Sequence, residues 1–320
     1  MAETKGLNTK ARSTGRSESL ISKEELAEAD KYFNANNLLL NPPIKRAAYS
    51  DRTAWVMASM SQLVYMRFEE KGKDRELLIK KLAGGGFKLL GEFNDEKTDT
   101  QAFLVSNEDY AVLAFRGTEV TKKTDIVTDA KALKVSVIEG RVHRGFLDGY
   151  NSVRDDILEA LKKVQGLPIY ITGHSLGAAL ATVATNYLED EVIEGLPLRD
   201  QIAACYTFGS PRVGNKEFDR EFKAAIYRVV NTTDIVTVVP LLAMGYIHIG
   251  DVRFLLPGMG DIRRGIPILQ RIFFFIMAIF RLFGPLVGDH AIALYRKKLE
   301  AVAQDRNLGL YYDASSGGKF

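Results

Sequence analysis

The chain has 320 residues, of which 46% are hydrophobic and 26% are charged, and its formal net charge is +3. These values are ordinary for a globular protein and allow one large α/β domain with a substantial core. The charge is too small to indicate a nucleic-acid-binding surface, so no nucleic-acid partner is expected. The single cysteine, Cys205, lies in an apolar segment, which favours a buried strand residue and a reducing compartment.

Both ends of the chain have compositions typical of disorder. Residues 1–21 are rich in Ser, Thr, Lys and Gly, and they contain no apolar segment of the kind found in a secretory signal peptide. Residues 313–320 have a similar composition and predict a flexible tail. A single domain is therefore expected over residues 22–312. The expected location is cytoplasmic, with peripheral membrane attachment and signal-independent export as alternatives.

The first predicted elements are two helices. Ser22 and Glu25 form a capping-box pattern that begins a helix, and the Asn-Pro-Pro triplet at 41–43 ends it. A second helix is predicted over 51–69, where large apolar residues including Trp55 recur at helical spacing.

Predicted strands and helices alternate from residue 100 onwards. This alternation predicts an α/β fold with a mainly parallel central sheet and helices on both faces. Catalytic groups are then expected at the carboxyl ends of the strands. The predicted strands are 100–106, 110–117, 167–173, 202–209 and 227–232, and the first two form a hairpin. Residues 244–256 are predicted to form a further strand or a hairpin. The predicted helices are 145–164, 175–193, 215–226 and 290–305.

A serine lies between two glycines where a predicted strand meets a predicted helix. The segment Gly-His-Ser-Leu-Gly at 173–177 matches the G-x-S-x-G pattern. A nucleophile at the tip of so tight a turn has strained backbone angles, so its neighbours must carry almost no side chain. The start of the helix that follows favours a developing oxyanion. The segment therefore predicts Ser175 as a nucleophile.

A nucleophilic serine needs a histidine base, and the chain has four histidines. His143 precedes the serine, against the order Ser, acid, His of this fold class, and His174 lies inside the turn itself. His248 lies in a strand-like segment, which favours a structural role. His290 follows a loop and opens the last predicted helix, a position that suits a base. His290 is the preferred base, and His248 is the alternative.

The base needs an orienting acid, and Asp234 lies directly after a predicted strand, between Ser175 and His290 in the chain. Its position at the carboxyl end of a strand predicts the acid of a catalytic triad. The alternative is an aspartate that caps a turn.

An oxyanion hole needs two hydrogen-bond donors. The backbone N–H of Leu176, the residue after the nucleophile, supplies one. The second is expected from the loop after the strand that ends in AFRG, where Gly117 permits a sharp turn and Thr118 offers an N–H and a hydroxyl.

Six motifs occur in a fixed order along the chain. They are AFRGTE at 114–119, VHRGF at 142–146, ITGHSLGAALA at 171–181, TFGSPRVGN at 207–215, RVVNTTDIV at 228–236 and DHAIALY at 289–295. Together they resemble the class 3 lipase family, whose best-known members are fungal triacylglycerol lipases. Two further segments, AYSDRTAW at 48–55 and DTQAF at 99–103, are similar to bacterial members. The resemblance covers most of residues 45–300.

The resemblance implies an α/β-hydrolase fold with Ser175 as nucleophile, Asp234 as acid and His290 as base. It assigns the oxyanion-hole role to Thr118 with Leu176. It also implies structural roles within the fold for three further residues, Arg116, Arg212 and His248.

The implied function is that of a serine esterase acting on carboxylic ester bonds of acylglycerols or related lipids. The expected substrate is a lipid or another ester, and neither a cofactor nor a metal is expected. A phospholipase A1 or a short-chain carboxylesterase with the same triad is an alternative. A lipase-like binding protein without catalytic activity is a further one.

An apolar and basic segment, residues 262–288, precedes His290. It contains four arginines and no acidic residue, and its longest uncharged apolar run, 272–280, has nine residues, too few to span a bilayer. One interpretation is a buried helix or one that faces another subunit. The other is an acyl-pocket cap or an interfacial helix whose arginines meet lipid head groups, giving peripheral membrane contact.

Overall fold

The computed structural model describes residues 21–33, 48–117, 138–139, 142–220, 222–238, 245–270, 272–274 and 290–315. The α-helices in these ranges are α1 (Lys23–Lys31), α2 (Asp51–Leu63), α3 (Lys73–Gly84), α4 (Arg144–Leu161), α5 (Leu176–Leu188), α6 (Lys216–Asp219) and α7 (Ile292–Ser315). Short 3-10 helices are Phe68–Glu70, Lys162–Val164, Leu198–Asp200 and Ile235–Val238. The strands are β1 (Lys88–Asp95), β2 (Thr100–Ser106), β3 (Ala111–Phe115), β4 (Ile138–Glu139), β5 (Val142–His143), β6 (Ile169–His174), β7 (Val192–Ile193), β8 (Leu196–Pro197), β9 (Ile202–Phe208), β10 (Ile226–Asn231), β11 (Asp251–Leu255) and β12 (Ile262–Arg263).

An eight-stranded sheet forms the centre of the fold, in the order β1-β2-β3-β6-β9-β10-β11-β12. The five strands from β3 to β11 are parallel to one another. The outer pairs β1–β2, β2–β3 and β11–β12 are antiparallel. The predicted mainly parallel central sheet is therefore confirmed, and so is the hairpin of β2 and β3.

Alternate residues of the central strands are buried on opposite faces of the sheet, as the pleat requires. Val112 and Tyr170 face one side and belong to a core that α2 and α7 cover. Leu113 and Ile171 face the other side and belong to a core that α4 and α5 cover. Helices lie on both faces, as predicted.

The first helix begins as the capping-box pattern predicts. Ser22 Oγ accepts a hydrogen bond from the backbone N–H of Glu25 at 3.1 Å, and the Glu25 carboxylate accepts one from the backbone N–H of Ser22 at 3.0 Å. The second helix, α2, ends at Leu63, six residues earlier than predicted. Its Trp55 is fully buried, as the helical spacing indicates.

Several predicted boundaries are wrong. The helix predicted over 215–226 is reduced to the four residues of α6, because the chain must return to the sheet and β10 begins at Ile226. The helix predicted over 175–193 ends at Leu188. The last helix continues to Ser315, three residues into the predicted tail. Residues 1–20 and 316–320 lie outside the described residues.

The buried cysteine has a packing role. Cys205 lies in β9 and is fully buried, and burial raises the pKa of its thiol to about 12. A thiol of this kind is protonated and inert at neutral pH. The prediction of a buried strand cysteine is confirmed.

Candidate active site

Ser175 lies at the tip of the turn between β6, which ends at His174, and α5, which begins at Leu176. Its backbone has φ +58° and ψ −127°. A residue with a side chain occupies this part of conformational space at a cost of about 1–3 kcal/mol, and such strain concentrates at functional sites. The local geometry is therefore that of a nucleophile turn.

The glycines on both sides of Ser175 have no room for a side chain. A Cβ added to Gly173 would lie 2.2 Å from the carbonyl oxygen of Gly177, and one added to Gly177 would lie 2.3 Å from the carbonyl oxygen of Phe115. Both distances are far below van der Waals contact, because α5 starts directly against β6 and the end of β3. Glycine is therefore required on both sides of Ser175 by the close approach of α5 to β6 and β3.

The side chains of Asp234 and His290 form a buried pair, with His290 Nδ1 2.9 Å from Asp234 Oδ2. An ionised carboxylate can only accept hydrogen bonds, so Nδ1 carries the proton and Nε2 presents a lone pair. Among the described residues, Nε2 is buried and has no hydrogen-bond partner. A lone pair in this state is what a general base requires.

The Asp234 carboxylate accepts two more hydrogen bonds. The Tyr295 hydroxyl donates to Oδ2 at 2.6 Å, and the backbone N–H of Val236 donates to Oδ1 at 3.0 Å. Tyr295 accepts in turn from the backbone N–H of Asn231 at 3.0 Å. These donors fix the orientation of the carboxylate that faces His290. Sequence reasoning did not identify Tyr295 as part of the site, although it is the last residue of the DHAIALY motif.

Ser175 lies beside this pair without a direct hydrogen bond to His290 among the described residues. The backbone N–H of Ser175 donates to the carbonyl oxygen of Phe208 at 3.0 Å. The next residue, Gly209, has φ +57°, and a Cβ there would lie 2.7 Å from Asp234 Oδ2 and 3.1 Å from His290 Nδ1. The end of β9 thus connects the serine turn to the Asp–His pair, and Gly209 is a site residue that sequence reasoning missed.

Leu176 is placed where an oxyanion donor is needed. As the first residue of α5, it has a backbone N–H with no acceptor within the helix, at the positive end of the helix dipole. The end of β3 lies against the same turn, since a Cβ added to Gly117 would be 2.5 Å from the carbonyl oxygen of His174. Thr118, the other predicted donor, lies outside the described residues, and its role stays a prediction.

The alternative base, His248, lies in a different environment from His290. Burial and the positive charges of Arg228 and Arg212 lower the pKa of His248 to about 2. This histidine is therefore neutral at physiological pH, and it is His290 that pairs with Asp234.

Arg116 is paired inside the fold. Its guanidinium donates to both carboxylate oxygens of Glu69 at 2.7 Å and to the backbone carbonyl oxygen of Val64 at 2.7 Å. It also lies over the ring of Phe68, 4.9 Å from the ring centroid. These contacts tie the end of β3 to the chain that follows α2, which is a structural role.

The part of the chain that the structure describes holds no group of three or more His, Cys, Asp or Glu side chains placed to bind a metal ion.

The topology and the site together define an α/β-hydrolase fold. It has a mainly parallel sheet between helices, a serine at a strand-to-helix turn, and a buried pair of an aspartate after β10 and a histidine before α7. A lipase from Rhizopus microsporus var. chinensis has a similar structure, with a TM-score of 0.52 and 25% identity over 71% of this chain and 81% of that chain.

The sequence matches extend the similarity to a family. The family model described as lipase (class 3) matches residues 112–244. The secreted mono- and diacylglycerol lipase A of Penicillium cyclopium is 34% identical over 170 residues, 49% of this chain and 53% of the relative. The lipase of Rhizomucor miehei is 32% identical over 165 residues, 48% of this chain and 44% of the relative. The chain is therefore similar to the class 3 lipase family over residues 112–244, and it spans about half the length of these curated relatives.

Proposed function

We propose that the protein is a serine esterase that hydrolyses carboxylic ester bonds of acylglycerols or related lipids. The observation that carries the proposal is the buried pair of Asp234 and His290, whose free Nε2 lies at the same end of the sheet as the Ser175 turn. The names of the relatives, a mono- and diacylglycerol lipase and a lipase, support an acylglycerol as the substrate class.

The proposed reaction has two steps. Ser175 Oγ attacks the ester carbonyl while Nε2 of His290 takes its proton and passes it to the leaving alcohol. Asp234 holds the imidazole in the tautomer with the proton on Nδ1. The N–H of Leu176, with Thr118, stabilises the negative charge on the tetrahedral intermediate. A water activated by the same histidine then hydrolyses the acyl-enzyme.

Labelling with a fluorophosphonate probe tests this proposal. Wild-type protein is expected to react covalently at Ser175, and the Ser175→Ala variant is expected to remain unlabelled. If the wild-type protein is not labelled, the chain is instead a lipase-like binding protein. For an active protein, p-nitrophenyl esters of graded chain length and phospholipid vesicles distinguish a lipase from a short-chain carboxylesterase or a phospholipase A1.

We also propose that the protein contacts lipid surfaces through the segment 262–288, of which residues 262–270 and 272–274 are described. Four large apolar side chains on this segment are exposed: Ile268 by 72%, Leu269 by 77%, Ile272 by 51% and Phe273 by 57%. Two other residues of the segment, Ile266 and Phe274, are buried in a small cluster with Leu256. An exposed apolar patch of this kind marks a binding surface. No helix within the described residues is long and apolar enough to cross a membrane.

The charge of the segment supports an anionic lipid surface as the binding partner. Arg263 and Arg264 are exposed at the start of the segment, where they pair with Asp261 and Asp251 at 2.9 Å. Exposed ion pairs are weak, so both arginines can exchange these partners for lipid phosphates. Residues 262–288 contain four arginines and no acidic residue.

Co-sedimentation with liposomes tests the contact. The double variant Leu269→Glu/Phe273→Glu is expected to lose binding to anionic liposomes, because it places charge where acyl chains must be contacted. The matched control is Val192→Glu/Leu196→Glu, which alters exposed apolar residues on β7 and β8, outside the segment. Unchanged binding of the Leu269/Phe273 variant would contradict this part of the proposal.

A further inference from the structure

His174, the residue before the nucleophile, is buried against the imidazole of His290. The two ring centroids are 4.5 Å apart with an angle of 36° between the ring planes. Nε2 of His174 lies 2.7 Å from the backbone carbonyl oxygen of His290. On the other side of the ring, Nδ1 lies 2.9 Å from the hydroxyl oxygen of Tyr65. The side chain therefore contacts the main chain and the ring of the proposed base at the same time.

These contacts determine the tautomer of the neutral His174 ring. A carbonyl oxygen only accepts, so Nε2 must carry the proton and donate to His290. Nδ1 then holds a lone pair, which accepts the hydroxyl proton of Tyr65. Both ring nitrogens are thus satisfied in one neutral tautomer, in which Tyr65 is the donor to Nδ1.

The electrostatic environment favours the same neutral state. Burial lowers the pKa of His174 well below its usual value, and the charge that His290 acquires on protonation lowers it further. The titratable groups that face the ring are Tyr65, His290 and Tyr295, whose ring centroid is 6.0 Å away. Each tyrosine is uncharged at neutral pH. The hydrogen bond to the backbone of His290 raises this pKa, but its effect is smaller than that of burial.

We propose that His174 is a positioning residue, a neutral imidazole that Tyr65 orients and that holds the main chain and ring of His290 beside the nucleophile. The proposal rests on the assignment of His290 as the base of the proposed esterase. Asp234 fixes His290 through its ring nitrogen, and His174 fixes it through its carbonyl oxygen and ring face. Since His174 stays neutral, it does not repel the imidazolium that His290 becomes during each proton transfer.

A spectroscopic experiment tests the state of His174 without any measurement of activity. Nitrogen-15 NMR of histidine-labelled protein reports the charge and tautomer of each imidazole, and the His174 signals are assigned by their loss in His174→Gln. His174 is expected to remain neutral with the proton on Nε2 from pH 8 to pH 5, and Tyr65→Phe is expected to keep this tautomer, because Nε2 still faces the His290 carbonyl oxygen. An imidazolium at pH 6, or a proton on Nδ1 in wild-type protein, would overturn the proposal.

A kinetic experiment tests the positioning role. His174→Leu removes both hydrogen bonds, whereas His174→Gln keeps an N–H donor for the His290 carbonyl. A small displacement of a catalytic group costs up to about 100-fold, so we expect kcat per active site to fall by ~10- to 100-fold in His174→Leu and to recover largely in His174→Gln. KM is expected to remain within about threefold of the wild-type value, because substrate binding is unaffected.

The number of active sites is measured from the burst of p-nitrophenol that a p-nitrophenyl ester releases. The value of kcat is calculated per active site, so misfolded protein does not lower it. If His174→Leu only lowers the number of titratable sites and each site turns over at the wild-type rate, His174 has a folding role and the positioning proposal is wrong. If wild-type protein shows neither a burst nor steady-state hydrolysis of the ester, the proposed esterase function fails, and the NMR experiment alone decides the state of His174.

Discussion

Tyr295 donates its hydroxyl proton to Asp234 Oδ2 at 2.6 Å, the same carboxylate oxygen that accepts from the ring of His290. Both donors come from the last described segment of the chain, and the acceptor follows β10, so one oxygen atom connects α7 to the sheet. A buried carboxylate that receives several hydrogen bonds is held in one orientation. Tyr295 is therefore expected to contribute both to the geometry of the site and to the stability of the fold.

The first prediction concerns the hydroxyl of Tyr295. Tyr295→Phe removes the acceptor of the hydrogen bond from the backbone N–H of Asn231, and it removes one donor to Asp234. We therefore expect the free energy of unfolding to fall by about 1–3 kcal/mol. Esterase kcat is expected to fall by ~10-fold, because the acid is less firmly oriented. The control is Tyr110→Phe, which removes a hydroxyl at the opposite end of β3. Equal kcat values for the two variants would contradict the prediction.

The second prediction concerns Asp234, the proposed acid of the triad. Asp234→Asn preserves the shape of the side chain, but its amide can donate to Nδ1 of His290 and so favours the wrong tautomer. We expect kcat to fall by ~10⁴-fold with little change in KM. Asp155→Asn, in which an exposed carboxylate of α4 is changed, is the matched control and should keep wild-type activity. Steady-state kinetics on a soluble ester measures both, and a fall of less than tenfold in Asp234→Asn would exclude the proposed role.

The turn glycines give the third prediction. In Gly177→Ala, the new methyl group must lie within 2.3 Å of the Phe115 carbonyl oxygen unless α5 shifts away from β3. We expect a loss of about 3 kcal/mol in the free energy of unfolding. In Gly265→Ala the methyl group has nothing within 4 Å, so that variant should be neutral or slightly stabilised. Denaturant titrations compare the two, and equal midpoints would show that the turn is not tightly packed.

The fourth prediction concerns pH. The pKa of His248 is lowered to about 2, mainly by burial, so the unfolded chain binds a proton at this residue below about pH 6.5 while the folded chain does not. Stability must then decrease as the pH falls. For this histidine alone we expect a loss of about 2 kcal/mol between pH 7 and pH 5.

Denaturant titrations at a series of pH values test this effect of His248. The difference between pH 7 and pH 5 should be smaller in His248→Gln than in wild-type protein, because glutamine does not titrate. An identical pH dependence in the two proteins would mean that His248 is protonated in the folded state.

The sequence predicted those parts of the fold that depend on local pattern. The alternation of strands and helices predicted the parallel sheet, and the glycines around Ser175 predicted the nucleophile turn. It did not predict α3 or β1, and β1 has only one buried residue, Phe93, so it shows no alternating apolar pattern.

Contacts between distant parts of the chain were not predictable in the same way. Tyr65 and His174 are 109 residues apart, and Tyr295 is 61 residues from Asp234. No local pattern encodes such pairs, so the roles of Tyr65 and Tyr295 emerged only from the folded structure. The oxyanion role of Thr118, the domain bounds and the cytoplasmic location stay predictions.

The central claim is that Ser175 is a nucleophile activated by His290 and Asp234. The most direct measurement is peptide mapping by mass spectrometry after reaction with a fluorophosphonate. The account predicts a single adduct on Ser175, formed far more slowly in Asp234→Asn and absent in Ser175→Ala. A wild-type protein that forms no adduct, or forms it on another residue, would contradict the account.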